Sequence, residues 1–151
     1  MAHHIRRSGS ILGCSDRSAK SRVATGTIES FIHFPTGDIQ RNVLRHDQSK
    51  VAPAEIDRMN AMWGDESWRS AAYLDEPDLF GSRQVKQPID LLLGAFADRL
   101  RKIAGFKHVS TPLPMRNKTN AIIYHLIFAT QQRTALRIAS DILKAESTPK
   151  V

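Results

Sequence analysis

The run Ala121-Ile-Ile-Tyr-His-Leu-Ile-Phe-Ala129 has no charge, no glycine and no proline, and only Tyr124 and His125 bring a polar side-chain atom to it. An extended chain sends alternate side chains to opposite faces, so Ile122, Tyr124, Leu126 and Phe128 line one side and Ile123, His125, Ile127 and Ala129 the other. Both sides are too apolar to meet water. Such a strand belongs inside a sheet with protein layers above and below it, and a chain of 151 residues must supply both or leave one open. An open face or edge invites a homo-oligomer or aggregation unless helices from the 54 to 104 region cover it.

The flanks of this run place it. Phe106-Lys-His-Val109 begins a strand, and Pro112 and Pro114 restrict it to an edge or a bulge because proline gives no ladder donor. Asn117-Lys-Thr-Asn120 then reads as a turn, after which 121–129 returns antiparallel. Thr130 caps a last helix whose inner face is expected at Ala135, Ile138, Ala139, Ile142 and Leu143, with Pro149 beyond its end.

Upstream, Ile28-Glu-Ser-Phe-Ile-His-Phe34 reads as a strand that stops at Pro35-Thr-Gly37, with Asp38 placed to cap a short helix over 39–45. Pro53 suits a first helical turn, and Ile56, Met59 and Trp63 form an apolar stripe that Gly64 ends. Asp65 is expected to cap a second short helix with Trp68 and Ala72 inward. Residues 74–87 carry Asp75-Glu-Pro-Asp78 and Gly81-Ser82 and read as a surface loop. From Pro88, Ile89, Leu92, Leu93, Phe96, Leu100 and Ile103 keep helical spacing until Gly105.

Composition narrows the function classes. The net charge of +7 suggests a polyanionic partner such as nucleic acid. Residues 1–27, however, hold Arg6, Arg7, Arg17, Lys20 and Arg22 against Asp16, a net +4, which leaves only +3 for the remainder. These residues read as a disordered basic tail, and 148–151 as a second, short tail. Cys14 stands alone, so no intramolecular disulfide forms and a reducing, cytoplasmic setting is expected. No apolar stretch reaches bilayer length, so no membrane partner is expected.

Candidate contacts gather where strands end, since ligands of open α/β sheets collect at carboxyl ends and next to helix N–H groups. Asp38 follows such a strand, and its competing role is the helix cap. Arg41, Asn42 and Arg45 are available to a phosphate or a nucleobase, or to solvent. Arg116 can fork to an anion, while Asn117 suits turn chemistry. Trp63 and Trp68 fit core packing better than base stacking, and His33, His46, His108 and His125 lack metal-ligand spacing.

Four separated motifs carry a family resemblance. These are Phe31-Ile-His-Phe-Pro35 with Asp38, Arg41 and Asn42; Arg58-Met-Asn-Ala-Met-Trp-Gly-Asp-Glu-Ser-Trp-Arg69; Ala104-Gly-Phe-Lys-His-Val109; and Pro112-Leu-Pro-Met-Arg-Asn117 with Tyr124-His-Leu-Ile-Phe-Ala129. Together, from about Ile28 to Ala145, they resemble the C-terminal part of the three-Cys-motif partner proteins. The resemblance implies an α/β fold with a partial Rossmann-like, methyltransferase-like mixed sheet ending in an antiparallel β-hairpin, and a partner protein bearing three cysteines. It implies S-adenosylmethionine only for a full-length member, because the glycine-containing strand-turn-helix that would bind it has no counterpart here. Gly9-Ser-Ile-Leu-Gly13 follows no apolar strand and is no substitute. The expectation is therefore a truncated domain over 28–147, inactive alone or acting with a partner protein. The alternatives are a non-enzymatic nucleic-acid-binding or protein-interaction module, and a gene remnant without activity.

Overall fold

The computed structural model describes residues 28–147, and the two tails expected at 1–27 and 148–151 lie outside the described residues. The fold is mixed α/β, built on one antiparallel sheet with helices on both faces and a separate two-stranded ribbon. Strand β1 (Ser30–Phe34) pairs antiparallel with β6 (Ile122–Thr130), Phe31 opposite Phe128 and Phe34 opposite His125. On the other side of β6, β4 (His108–Val109) takes its carboxyl end and β5 (Leu113–Arg116) its amino half. The run 121–129 is thus the middle of the sheet, bonded along both edges. Since β1 and β5 are each antiparallel to β6, they run parallel to one another across it.

The prolines sit where their chemistry requires. Pro112 and Pro114 lie on the β4–β5 side, the ladder shifts register between Met115 and Arg116, and the break between β4 and β5 is bridged by Ser110. Its N–H donates to the Phe128 carbonyl at 2.8 Å, and its Oγ accepts from the Phe128 N–H at 2.9 Å, so no backbone group of Phe128 is orphaned.

Helices α1 (Thr36–Asp38), α2 (Pro53–Trp63), α3 (Trp68–Ala72) and α4 (Ile89–Lys102) follow β1, with β2 (Tyr73–Asp78) and β3 (Gly81–Lys86) inserted before α4. The α4 stripe Leu92, Leu93, Phe96 and Leu100 is buried together with Phe34, Ile127, Met59 and Trp63. The Phe96 ring lies 5.1 Å from that of Phe34 and 5.6 Å from that of Trp63, joining sheet to helices. Both tryptophans are core residues, as their spacing indicates. Each indole satisfies its N–H: Trp63 donates to Ser67 Oγ at 2.9 Å and Trp68 to Asn60 Oδ1 at 2.7 Å. Arg99 fastens the end of α2 to α4, donating to the Trp63 carbonyl at 3.1 Å and to Asp65 at 2.8 Å.

The second face of β6 is covered by α5 (Arg133–Ser147), and Phe128 and Ala139 are buried there. The chain therefore supplies both layers over the carboxyl half of β6. Thr130 Oγ1 accepts from the Gln132 N–H at 3.0 Å and turns the chain into this helix.

Four expectations need correction. Ile138 and Ile142 were placed inward but are 53% and 59% exposed, because α5 packs through Ala135, Leu136, Ala139 and Leu143 and buries a face narrower than its apolar stripe. Residues 74–87 are not a loop. They form the β2–β3 hairpin, paired from Tyr73↔Lys86 to Asp78↔Gly81; most of the ribbon is solvated on both faces, so no apolar alternation marks it in the sequence. Asp38 is not a cap, since it sits inside the helical turn with no capping bond, and the chain continues through a wide turn over Ile39–Val43 closed by Leu44 N–H to Ile39 O at 2.8 Å. Asp65 likewise makes no cap at α3. It accepts from the Ser67 N–H at 2.8 Å and meets Arg99 instead.

The packing predicts a sharp contrast between two apolar truncations. Phe96→Ala should cost about 3–5 kcal/mol, read as a fall in urea midpoint at constant slope. Ile142→Ala should change stability by less than about 0.5 kcal/mol. Comparable losses from both would contradict the orientation of α5.

Candidate site at the carboxyl end of strand β1

The site begins with a close approach of backbone to backbone that favours glycine. A Cβ on Gly37 would stand 3.0 Å from the Ile123 carbonyl oxygen and 3.3 Å from that of Ile122, so the loop after β1 lies directly on the amino end of β6. This contact sets Thr36 against His125, with Oγ1 2.6 Å from Nδ1, and both residues are buried. The same hydroxyl donates to the Phe34 carbonyl at 3.3 Å. The hydroxyl has one proton, so while it donates to Phe34 it accepts from Nδ1–H, and donating to a bare Nδ1 would give up the Phe34 bond.

Burial pushes the His125 pKa down from its ordinary 6.5, against a smaller opposing pull from the Asp90 carboxylate and with a further push from the Arg116 guanidinium. Its burial thus favours the neutral imidazole. Sequence reading weighed it only as a metal ligand. The signal it overlooked was a histidine on the face of β6 that packs toward α4.

Beside this pair a shallow, open cleft of about 90 Å³ lies between the β1 loop and α2, walled by Asp38, Ile39, Glu55, Arg58, Met59 and Met62. Asp38 Oδ1 accepts from Asn42 Nδ2 at 2.6 Å, which brings two of the expected contact residues together one helical turn apart. Arg58 is hydrogen-bonded to Glu55, and that bond, with a smaller contribution from the charge of Asp38, holds its guanidinium more firmly protonated.

The other candidates are placed differently. Arg41 and Arg45 are exposed, and the Arg45 carbonyl accepts from Tyr73 Oη at 2.9 Å and from Gln48 Nε2 at 3.0 Å. Arg116 and Asn117 reach the same end of the sheet, because Arg116 is opposite Ile122. They serve the hairpin turn: Arg116 donates to the Asn120 carbonyl at 2.9 Å, and Asn117 Oδ1 accepts from Thr119 N–H, Thr119 Oγ1 and Ala121 N–H at 3.0, 2.7 and 2.9 Å. Asn120 takes the left-handed conformation that closes the turn, φ 65°.

Among the described residues no group of three or more His, Cys, Asp or Glu side chains is placed to hold a metal ion. Gly37 is packed against the Ile122 and Ile123 carbonyls and so presents no open backbone turn, and Met59 and Met62 line the neighbouring cleft.

The Thr36–His125 pair makes two measurable predictions. Thr36→Val keeps the shape but leaves Nδ1 without its partner, and should cost about 1–3 kcal/mol in urea unfolding. Because the folded pKa of His125 lies below its unfolded value, its contribution is complete above about pH 6.5 and is lost as pH falls through the folded value. Urea midpoints across that range should therefore drop on acidification, and His125→Gln should flatten the drop. An equally steep acid loss in His125→Gln would assign it to other groups.

Compared with protein-family models, curated proteins and solved structures, the chain matches none.

Proposed function

We propose that this chain is the closing part of a methyltransferase-like sheet, lacking the cofactor-binding half, and that it acts in an assembly with a partner protein rather than as an enzyme by itself. One observation carries the reading. Strand β6 is inserted antiparallel between β1 and β5, which are parallel to each other, as in a methyltransferase-like sheet that ends in an antiparallel hairpin. The outer edge of β1, where such a sheet would continue, pairs with no other strand among the described residues. The sequence motifs point to a three-cysteine-motif protein as partner. Thr36, His125 and the Asp38 cleft lie at the carboxyl end of β1, the end at which ligands of α/β sheets bind.

Nucleic-acid binding is the second reading, favoured by the exposed Arg41 and Arg45 and the basic charge of residues 1–27. Arg99 and Arg101 are engaged within the fold: Arg99 with Asp65, Ser67 and the Trp63 carbonyl, Arg101 with Asp98 and the Val109 carbonyl. Among the described residues no helix is long and apolar enough to cross a membrane.

Titration calorimetry with S-adenosylmethionine tests the first reading. The chain alone should give no binding heat, and micromolar affinity would contradict the absence of a cofactor half. Fluorescence anisotropy with duplex DNA tests the second. Any affinity should fall steeply with salt and disappear on deletion of residues 1–27; salt-insensitive binding by the shortened chain would favour a folded nucleic-acid site over the assembly reading.

A further inference from the structure

The two edges of the sheet are built differently. On the β4–β5 side two prolines, a break and a register shift disrupt the ladder, which are the ordinary devices that keep a sheet from adding strands. The β1 edge has none of them. Its five residues Ser30-Phe-Ile-His-Phe34 carry no proline, no glycine and no formal charge, and their register on β6 is regular throughout.

The direction of the free backbone groups follows from the far side of β6. The N–H and C=O of Phe128 both point to Ser110, so the groups of His125, Ile127 and Ala129 point the other way, to Phe34, Ile32 and Ser30. The alternate residues Glu29, Phe31 and His33 consequently aim their N–H and C=O groups outward from the sheet. Their side chains are exposed too, Phe31 by 58%.

Those three residues are complementary to their own reverse. If two β1 edges meet antiparallel about Phe31, Phe31 faces Phe31, and Glu29 of each chain faces His33 of the other. Ile28 then meets Phe34, and Ser30 meets Ile32. The carboxylate, an acceptor only, is matched to an imidazole that donates. Neither side chain is closed off beforehand: Glu29 has a long 3.4 Å contact from Thr130 Oγ1, and His33 lies against Tyr124 with ring centres 4.4 Å apart. An edge that is its own complement generates a closed two-fold pair rather than an open chain.

We propose that the outer edge of β1 is a dimerisation edge, on which a second copy of this chain adds its own β1 antiparallel and centred on Phe31, with two symmetric Glu29–His33 pairs flanking the aromatic contact. This rests on the reading of that edge as an assembly surface and names the copy as its occupant. Sedimentation equilibrium of the full chain provides the test. Wild type should be a dimer at micromolar concentration. His33→Glu sets carboxylates against each other on both sides of the axis, and Glu29→Lys removes both acceptors; each should weaken the dimer by about tenfold. The double variant Glu29→Lys with His33→Glu restores opposite charges and should regain the dimer. Unchanged urea midpoints, taken at concentrations where the chains are monomeric, would show that all three variants fold. A monomeric wild type would overturn the proposal, as would a dimer indifferent to the single substitutions or a double variant that stays apart. In the monomeric case the absence of S-adenosylmethionine binding would leave the assembly reading standing, with a different protein at the edge.

Discussion

Everything in this fold depends on strand β6 being paired along both edges and covered on both faces over its carboxyl half. Its residues are too apolar for any other position, and once they are fixed the remaining elements have little freedom. Strand β1 must lie on one side, the proline-bearing strands on the other, α4 beneath and α5 above. The burial of Phe34, Phe96, Ile127 and Trp63 in one cluster joins the sheet to the helices that precede it in the chain. Stability and topology therefore have the same source, the removal of the carboxyl half of one strand from water on both faces and both edges.

The candidate site is a by-product of that placement. Antiparallel pairing of β1 with β6 sets the end of one strand beside the start of the other, and Gly37 lets the loop settle onto the β6 carbonyls. A histidine that must occupy an inward position of β6 then finds the Thr36 hydroxyl at 2.6 Å. A buried polar pair of this kind is satisfied and specific, and it fixes the loop that presents Asp38, hydrogen-bonded to Asn42, to the adjacent cleft. The positions expected to contact a ligand divide accordingly. Asp38 lines the cleft and is held by Asn42, Arg41 and Arg45 stand in solvent, and Arg116 and Asn117 hold a turn.

What the sequence made legible was whatever burial dictates. The central strand, the Pro88-led helix, the tryptophan cores and the edge character of the proline segment all follow from apolar periodicity and missing donors, and the structure contains each. What it hid was whatever depends on a neighbour. The β2–β3 ribbon shows no apolar alternation because most of its length is solvated on both faces, with Leu79 and Phe80 at the tip almost wholly exposed. The exposure of Ile138 and Ile142 could not be read from a helix whose stripe is wider than the face it buries. Thr36 and His125 are 89 positions apart, and only the sheet register brings them together. Asp38 had the residue type of a cap, yet the helix starts before it and its carboxylate goes to Asn42.

The central claim is that, among the described residues, β1 is a finished strand on one side and an open one on the other. Amide hydrogen exchange resolved by residue tests it most directly, because the two sides of β1 belong to alternate residues. In dilute solution the amides of Ile32 and Phe34, which face β6, should exchange slowly, while those of Phe31 and His33 should exchange quickly and gain protection only when the chain associates. Slow exchange at Phe31 and His33 at every dilution would mean that the edge is closed within the single chain, and would contradict the account.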